Sequence, residues 1–323
     1  MGLKMNVYGG YVKNNRILES ASGGIATAFA ETVLKNQGVV AGVAYTSDYH
    51  DAEYIIVEDI EELYKIKGVK YFFAKKNGIY KRIKQLLDEK QKVLFIGLGC
   101  DVGGLKKFLQ KDYENLYLID LVCHGATFPS VHKQYVQYLE KKYNSKIYFL
   151  NVRHKKNNWE QPYMRVVFQN GKVFEKQFYD TEYGYMFSRL SRKCCFSCCY
   201  KGSNSVADVT LGDYWGSKKE DAFYNKKGVS LVITHTEKGE SLLKSLPEVA
   251  LWQSEISHAI ENNPNIVCQK QKPNWDYDQF LKYYNSKGLF KSCKKLYTLY
   301  DRIRYILKKV IPNRILLKLK WRV

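Results

Sequence analysis

The sequence predicts an α/β protein with a mostly parallel or mixed sheet under covering helices, an added antiparallel hairpin segment and a helical, basic C-terminal tail. Short β-branched or aromatic runs alternate with helical patterns through the first two thirds of the chain, as in α/β domains. Asn170 and Gly171 join two runs that alternate with period two, which is a strong hairpin signal. Lysine and arginine are concentrated at the C-terminus.

The first half of the chain supplies the predicted sheet and its helices. Strands are expected at residues 39–45, 54–58, 92–96, 116–122 and 146–152. Apolar residues recur on one helical face at 24–35, 79–87 and 130–143. The last of these helices opens after Pro129, a favoured helix-start residue.

The second half begins with the predicted hairpin, at residues 163–169 and 172–178. A helix at 181–190, a run at 207–212 and an apolar strand at 229–234 follow. From residue 261 the sequence is rich in Asn, Lys, Pro and Tyr, which is typical of a linker. We therefore expect one domain over residues 1–260, and a linker with a basic amphipathic tail over 261–323.

The net charge of +20 is unevenly distributed. Residues 291–323 contain eleven Lys or Arg and one Asp, so half of the excess lies in the last tenth of the chain. This argues against a nucleic-acid-binding domain, whose basic residues should line a folded groove. The tail mixes basic and apolar residues around Pro312, which predicts two short helices on an anionic membrane surface. Packing of those helices on the body is an equal alternative.

The eight cysteines, without a recognisable signal peptide, predict a reducing, cytoplasmic location. If the tail binds lipid, the protein would be peripheral at the inner face of the membrane. The apolar runs are shorter than the roughly 20 residues of a membrane-spanning helix. In such a compartment the thiols are expected to act as ligands and not as disulfides.

Four of the cysteines lie within six residues and give two overlapping C-x-x-C spacings, which let two thiolates reach one metal or cluster from a single turn. They are Cys194, Cys195, Cys198 and Cys199. Cys100 and Cys123 each follow a predicted strand, and the carboxyl ends of parallel strands share one sheet edge. We therefore expect one site built from three segments. A structural zinc site is the competing interpretation, and a lone cysteine is often a small buried apolar residue.

A glycine-rich turn precedes the first predicted helix. Ser22, Gly23 and Gly24 leave free backbone N–H groups at the helix start, where a phosphate would fit. An ordinary helix cap with permissive glycines is the alternative, and the local pattern alone favours it. Residues 97–104 form a second glycine-rich turn around Cys100, without the G-x-G-x-x-G spacing of dinucleotide folds.

Six blocks together resemble the coenzyme F420 hydrogenase/dehydrogenase beta-subunit family. They are SASGGIATAFAE (20–31), KGVKYFFA (67–74), KVLFIGLGCDVGGLKKFL (92–109), LIDLVCHGATFPSV (118–131), KCCFSCCYKG (193–202) and SVADVTLGDYWG (205–216). The resemblance implies electron transfer between a bound FAD and a 4Fe-4S cluster, with hydride exchange to a deazaflavin or other small organic substrate at the flavin.

The resemblance also implies roles for single residues. Cys100, Cys123, Cys195 and Cys198 would be the cluster ligands. The flavin-phosphate contacts would be Ser22, Gly23, Gly24 and Thr27, with Lys70 as a further cofactor contact. For His124, beside Cys123, we expect a role in proton transfer, and a structural histidine is an equal alternative.

The chain departs from the family pattern near both proposed cofactors. Asp101 follows the first cysteine and places a carboxylate beside the cluster, which should lower the cluster's potential. Phe73 and Ala74 stand where the family has Gln-Ser, which puts part of the flavin site in doubt. A decayed site would leave a zinc-stabilised scaffold or binding protein of the same fold.

The resemblance also suggests partners. Many relatives carry an N-terminal ferredoxin-like module, which is absent before the first matching block, so a separate ferredoxin-like carrier should supply electrons. Relatives in organisms without the deazaflavin often accompany cell-surface polysaccharide synthesis, and the resemblance makes such a link a further expectation.

Overall fold

The computed structural model describes residues 5–156, 159–299, 301 and 303. They form two compact units, Met1–Lys272 and Pro273–Val323. The functional division of the chain at residue 260 remains a prediction.

Eleven strands and eight α-helices occur among the described residues. The strands are β1 (Asn6–Val12), β2 (Val39–Tyr45), β3 (Ala52–Val57), β4 (Val93–Leu98), β5 (Leu116–Leu121), β6 (Ile147–His154), β7 (Tyr163–Phe168), β8 (Val173–Gln177), β9 (Val209–Asp213), β10 (Ser230–Thr234) and β11 (Val249–Ser254). The helices are α1 (Ile25–Lys35), α2 (Ile79–Asp88), α3 (Gly99–Leu109), α4 (Pro129–Tyr143), α5 (Glu182–Arg189), α6 (Glu237–Lys244), α7 (Ile256–Asn262) and α8 (Tyr277–Leu296).

The larger sheet has eight strands in the order β11-β1-β10-β9-β5-β4-β2-β3. Its four central strands, β9, β5, β4 and β2, are parallel. The flanking strands β3, β10, β1 and β11 pair antiparallel to their neighbours. The α/β class with a mixed sheet is therefore confirmed.

Helices cover both faces of this sheet because side chains along a strand point alternately to opposite sides. In β4, Leu94 joins a core cluster with residues of α1 and α6. Its neighbours Val93 and Phe95 join a different cluster with residues of α2 and α3. The parallel strands are apolar on both faces, as expected for strands buried between two helical layers.

The smaller sheet contains three antiparallel strands in the order β6-β7-β8. The predicted hairpin is confirmed, with Gly171 of its turn at φ +80°, the left-handed conformation that glycine adopts readily. The run 146–152 is also a strand, but it pairs with β7 and not with the parallel sheet in which the sequence pattern placed it. Its pattern predicts a strand but not the strand's partner, and β6 pairs with the next strand along the chain.

The second unit contains α8, which begins after Asp276, whose carboxylate accepts a hydrogen bond from the N–H of Gln279. The composition predicts a linker after residue 261, but twenty of its residues form this helix, with a break at Gly288. Apart from Ile303, the predicted amphipathic tail at 303–323 lies outside the described residues. None of the described helices is long and apolar enough to cross a membrane.

Candidate functional site

The candidate site lies at the edge of the larger sheet where β4, β5 and β9 end. These strands run parallel, and Leu98 of β4 pairs with Leu121 of β5. Cys100 follows two residues after the end of β4, and Cys123 follows two residues after the end of β5. Two cavities open at this edge. We call them the α1 cavity and the cysteine cavity.

The α1 cavity has a volume of about 340 Å³ and lies beside the start of α1. Ser22, Gly24, Thr27 and Lys70 line it. Much of the remaining wall is aromatic, from Tyr71, Tyr179, Phe187 and Trp215. The cavity therefore combines a helix start, which suits an anion, with apolar ring surfaces, which suit a planar group.

The turn before α1 is held closely against the sheet. Gly24 caps the helix at φ +88°, a conformation that favours glycine. The Ser22 hydroxyl donates to the Val229 carbonyl at 2.7 Å. Gly23 does not line the cavity; a Cβ there would lie 2.4 Å from the Gly10 carbonyl oxygen and 2.6 Å from the Ser230 nitrogen. Gly23 is therefore needed because this turn packs closely against β1 and β10.

Two lysines with lowered pKa values lie near this turn. Burial lowers the pKa of Lys70 to about 7, and its amino group donates to the Lys67 carbonyl at 2.8 Å. Burial also lowers the pKa of Lys155 to about 7. The Lys155 amine donates to the Ser22 carbonyl at 2.5 Å, which ties β6 to the turn. Each lysine could gain a proton when an anion binds nearby.

A buried arginine and its carboxylate partner complete the wall of the α1 cavity. Arg153, at the end of β6, donates to the Asp213 carboxylate at 2.6 Å and lies 5.3 Å from the centre of the Trp215 ring. Burial opposes the charged form of Arg153, but the Asp213 carboxylate raises the pKa above its ordinary value. Trp215 in turn stacks on Trp159 with ring centres 5.1 Å apart. The Arg153–Asp213 ion pair therefore joins β6 of the smaller sheet to β9 of the larger sheet.

The cysteine cavity has a volume of about 430 Å³. Six thiols from three chain segments line it, namely Cys100, Cys123, Cys194, Cys195, Cys198 and Cys199. The structure therefore brings together the four cysteines predicted as ligands, along with the two additional ones. Within the described part of the chain, no three His, Cys, Asp or Glu side chains converge closely enough to hold one metal ion.

Burial raises the pKa values of three thiols in this cavity above the ordinary value of cysteine. It raises the pKa values of Cys100 and Cys195 to about 12, and it also raises the pKa of Cys123. The Gly125 N–H donates to the Cys123 sulfur at 3.3 Å. The Lys201 ammonium donates to the Cys123 carbonyl at 2.5 Å. Both contacts place positive potential beside Cys123, which favours its thiolate.

The segment with four cysteines is positioned by Tyr200 and two glycines of α3. A Cβ at Gly103 would lie 2.2 Å from the Tyr200 ring, and one at Gly99 would lie 2.9 Å from the Tyr200 Cβ. Glycine weakens a helix interior, so its presence at these positions has a packing reason. The glycine-rich turn at 97–104 is therefore the last part of β4 and the first turns of α3, shaped to admit Tyr200.

Of the departures from the family pattern, Phe73 lines the cysteine cavity, Ala74 lines the α1 cavity and Asp101 lines both. The Asp101 carboxylate accepts a hydrogen bond from Tyr54 at 2.7 Å and pairs with Lys76 at 2.6 Å. Phe73 lies under the Arg192 guanidinium, 3.7 Å from its ring centre. The negative charge that the sequence predicts beside the cluster is thus matched by a lysine.

A common wall separates the two cavities. It consists of Leu98, Asp101, Leu121, Val122, Cys123 and Gly125. His124 lies on the α1 side of this wall, where burial and Lys201 lower its pKa. Asp120 lies on the cysteine side and accepts hydrogen bonds from Thr210 and Ser205 at 2.5 and 2.8 Å.

Sequence reasoning missed the basic residues of the site. Lys76, Arg153 and Lys155 lie in segments that carry no ligand spacing or glycine signal. Only for Lys201, two residues after Cys199, did the sequence offer a local signal. The others reach the site through tertiary contacts.

Sequence profiles of one family, the coenzyme F420 hydrogenase/dehydrogenase beta subunit, match most of the first unit. The profile for the N-terminal part of that beta subunit matches residues 7–78. The profile for its C-terminal part matches residues 90–256.

Two individual proteins illustrate the similarity. The chain is 22% identical over 245 residues to a coenzyme F420-dependent sulfite reductase of Methanocaldococcus jannaschii, a match that covers 72% of this chain and 35% of that protein. The chain thus spans about a third of that relative's length. A chain of the F420-reducing NiFe hydrogenase complex from Methanosarcina barkeri has the same fold, with a TM-score of 0.54 and 14% identity over 90% of this chain and 95% of that chain.

Proposed function

Because the chain belongs to the coenzyme F420 hydrogenase/dehydrogenase beta-subunit family, which points to an oxidoreductase, we propose that it is a flavin-dependent iron-sulfur oxidoreductase. It would pass electrons between a 4Fe-4S cluster in the cysteine cavity and FAD in the α1 cavity. The single observation that carries this proposal is the common wall, since both cavities meet at Cys123.

The α1 cavity fits a flavin by its chemistry. The helix start at Gly24, the Ser22 and Thr27 side chains and Lys70 offer hydrogen bonds and positive potential to phosphates. Tyr71, Phe187 and Trp215 supply flat apolar surface for a ring. Gly23 would serve the phosphate site indirectly, because its missing side chain allows the turn to lie against the sheet.

The cysteine cavity fits an iron-sulfur cluster by its donor set. Such clusters are held by four cysteine thiolates, and six thiols line this cavity. We assign Cys100, Cys123, Cys195 and Cys198 as the ligands. Since burial raises the pKa values of Cys100 and Cys195 to about 12, their thiolates require a cationic centre, and loading should release protons.

When bound, FAD would supply hydride chemistry and the cluster single-electron chemistry. Residues of the common wall have distinct tasks in this arrangement. Cys123 would hold one side of the cluster while its backbone forms part of the α1 cavity. His124 faces the α1 cavity with a lowered pKa, so its neutral imidazole can accept a proton at neutral pH.

The proposed substrate is a deazaflavin or another small organic molecule that exchanges hydride at the flavin. A separate ferredoxin-like carrier is the proposed electron partner. A link to cell-surface polysaccharide synthesis, and a cytoplasmic location with the tail at the membrane, stay predictions of the sequence.

Anaerobic purification followed by a visible spectrum and metal analysis tests the proposal. Flavin peaks with a broad sulfur-to-iron shoulder, and about four irons per chain, are expected. A colourless protein with stoichiometric zinc would instead identify the alternative, a zinc-stabilised scaffold of the same fold. A loaded protein should also reduce or oxidise a deazaflavin in a spectrophotometric assay.

A further inference from the structure

The buried guanidinium of Arg153 has a hydrogen-bond donor to spare. Arg153 is 6% exposed and lines the α1 cavity. Its Nη1 donates to the Asp213 carboxylate at 2.6 Å and lies 3.4 Å from the Tyr71 hydroxyl. Its Nη2 lies 3.2 Å from the Ala21 carbonyl oxygen and 3.4 Å from that of Trp159. Its Nε finds no partner among the described residues.

Only the contact with Asp213 is short, so a ligand that drew the guanidinium toward itself would displace only the three longer contacts. The contacts at 3.2 to 3.4 Å lie at or beyond the upper end of the normal N–H···O range. A buried donor without an acceptor is unfavourable, and binding of a ligand acceptor would relieve that cost. Arg153 is therefore poised to donate into the α1 cavity.

The charges of Arg153 and Asp213 indicate which kind of acceptor would bind there. The Asp213 carboxylate balances the guanidinium, and it also lies in the cavity wall, where it would repel a diphosphate. Phosphates have a better site at the start of α1 beside Lys70. A neutral carbonyl oxygen matches a donor whose charge is already compensated.

The surroundings select the shape of the ligand. Trp215 lies beside Arg153, with its ring centre 5.3 Å from the guanidinium carbon, and is fixed by stacking on Trp159. Tyr71 and Phe187 add ring surface, with their centres 4.2 Å apart. A flat heteroaromatic ring with carbonyl groups on one edge satisfies both the aromatic walls and the spare donor.

We propose that Arg153 binds the pyrimidinedione edge of the redox ring, donating to one of its carbonyl oxygens. This inference rests on the proposed function and adds a residue to it. The same edge occurs in the flavin cofactor and in a deazaflavin substrate, so two sources of one chemistry are available.

The test compares Arg153→Lys with Arg165→Lys, full-length and purified anaerobically. Arg165 is also paired with a carboxylate, that of Glu175, but does not line the α1 cavity. Riboflavin binding to the cofactor-free proteins and 5-deazariboflavin binding to the FAD-loaded proteins are measured by fluorescence. Neither probe carries a phosphate.

Loss of the hydrogen bond should weaken binding of one ring roughly 10- to 100-fold in Arg153→Lys and leave Arg165→Lys unchanged. Weaker riboflavin binding identifies the cofactor ring as the source, and weaker 5-deazariboflavin binding alone identifies the substrate ring. Unchanged affinity for both probes overturns the inference. If the unmodified chain binds no flavin at all, the proposed function falls with it.

A measurement on the unmodified chain keeps the test independent of folding. Replacing a ring carbonyl oxygen by sulfur gives a weaker hydrogen-bond acceptor. One of the two analogues, 2-thioriboflavin or 4-thioriboflavin, should therefore bind about tenfold more weakly than riboflavin. If the substrate ring is the ligand, the same holds for the thio analogues of 5-deazariboflavin. Equal affinity of all these thio analogues with their parents overturns the inference even if Arg153→Lys does not fold.

Discussion

The Lys76 ammonium lies 2.6 Å from the carboxylate of Asp101, the residue that directly follows Cys100 in the chain. Tyr54 donates to the other oxygen of that carboxylate at 2.7 Å. Asp101 is 7% exposed, so this arrangement replaces the water that a free carboxylate would require. The expected lowering of the cluster potential by Asp101 should therefore be largely offset by Lys76.

Replacement of Lys76 by Met should reveal that compensation. The Asp101 charge would lose its ionic partner in a mostly buried position, which should lower the free energy of unfolding by about 1–3 kcal/mol. The cluster potential should also fall in the variant. Chemical denaturation and a redox titration measure the two effects. Lys84→Met, which removes an exposed pair with Asp88, serves as the control and should cost about 0.5 kcal/mol or less.

Serine substitution of single cysteines should separate ligands from bystanders. Cys100→Ser, Cys123→Ser, Cys195→Ser and Cys198→Ser should each strongly reduce iron content and the sulfur-to-iron absorption, since a hydroxyl is a poor substitute for a thiolate. Cys268→Ser is the control, because Cys268 is exposed and does not line the cysteine cavity. If Cys195→Ser kept its full iron content and Cys194→Ser lost iron, Cys194 and not Cys195 would be the ligand.

Gly103→Ala should disrupt cluster assembly without a cysteine being touched. Its Cβ would lie 2.2 Å from the Tyr200 ring, which should push the four-cysteine segment away from Cys100. Gly104→Ala is a matched control, since the nearest atom to its Cβ would be the Tyr80 hydroxyl at 3.0 Å. Iron content should fall for the first variant and remain for the second. Equal iron content in the two variants would contradict the positioning role of Tyr200.

The Lys70 contribution to the stability of the cofactor-free protein should rise between about pH 7 and pH 10. Burial lowers its folded-state pKa to about 7, whereas the unfolded value is about 10.4. In that window the unfolded chain binds more protons, so the free energy of unfolding increases with pH, and below pH 7 this contribution is constant.

In the Lys70→Met variant the free energy of unfolding should rise less steeply with pH. Some of this slope should remain, because Lys155 also has a lowered pKa of about 7. Denaturant titrations at several pH values measure the slope. The exposed Lys81→Met variant should retain the slope of the unmodified chain. An identical slope in Lys70→Met and the unmodified chain would rule out burial of a neutral amine at this position.

Local signals were enough to predict much of the fold. The strands β2, β4 and β5 and the helices α1, α2 and α4 carry apolar periodicity over their whole lengths, and all occur within a few residues of their predicted bounds. The strand β1 was missed because Gly9 and Gly10 weaken its pattern. Those glycines are needed where the Phe223 and Leu251 side chains approach the strand backbone.

Predictions failed where a local pattern does not specify which segments lie against each other. The run 146–152 has an ordinary strand pattern, yet β6 pairs with the hairpin. The residues of the cavity walls were also predicted only in part from local patterns. Placement of Cys100 and Cys123 at one edge followed from parallel strand order, whereas Arg153 reaches the α1 cavity through Asp213 across two sheets, which no local pattern encodes.

The common wall should couple ligand binding in the two cavities thermodynamically. The backbone from Leu121 to Cys123 bounds both of them, so a group bound on either side restrains the segment that the other side needs. If the first ligand orders this segment, the second ligand binds without the same loss of conformational entropy. Incorporation of flavin and of the inorganic centre should consequently be cooperative, and protein lacking one of them should retain the other less tightly.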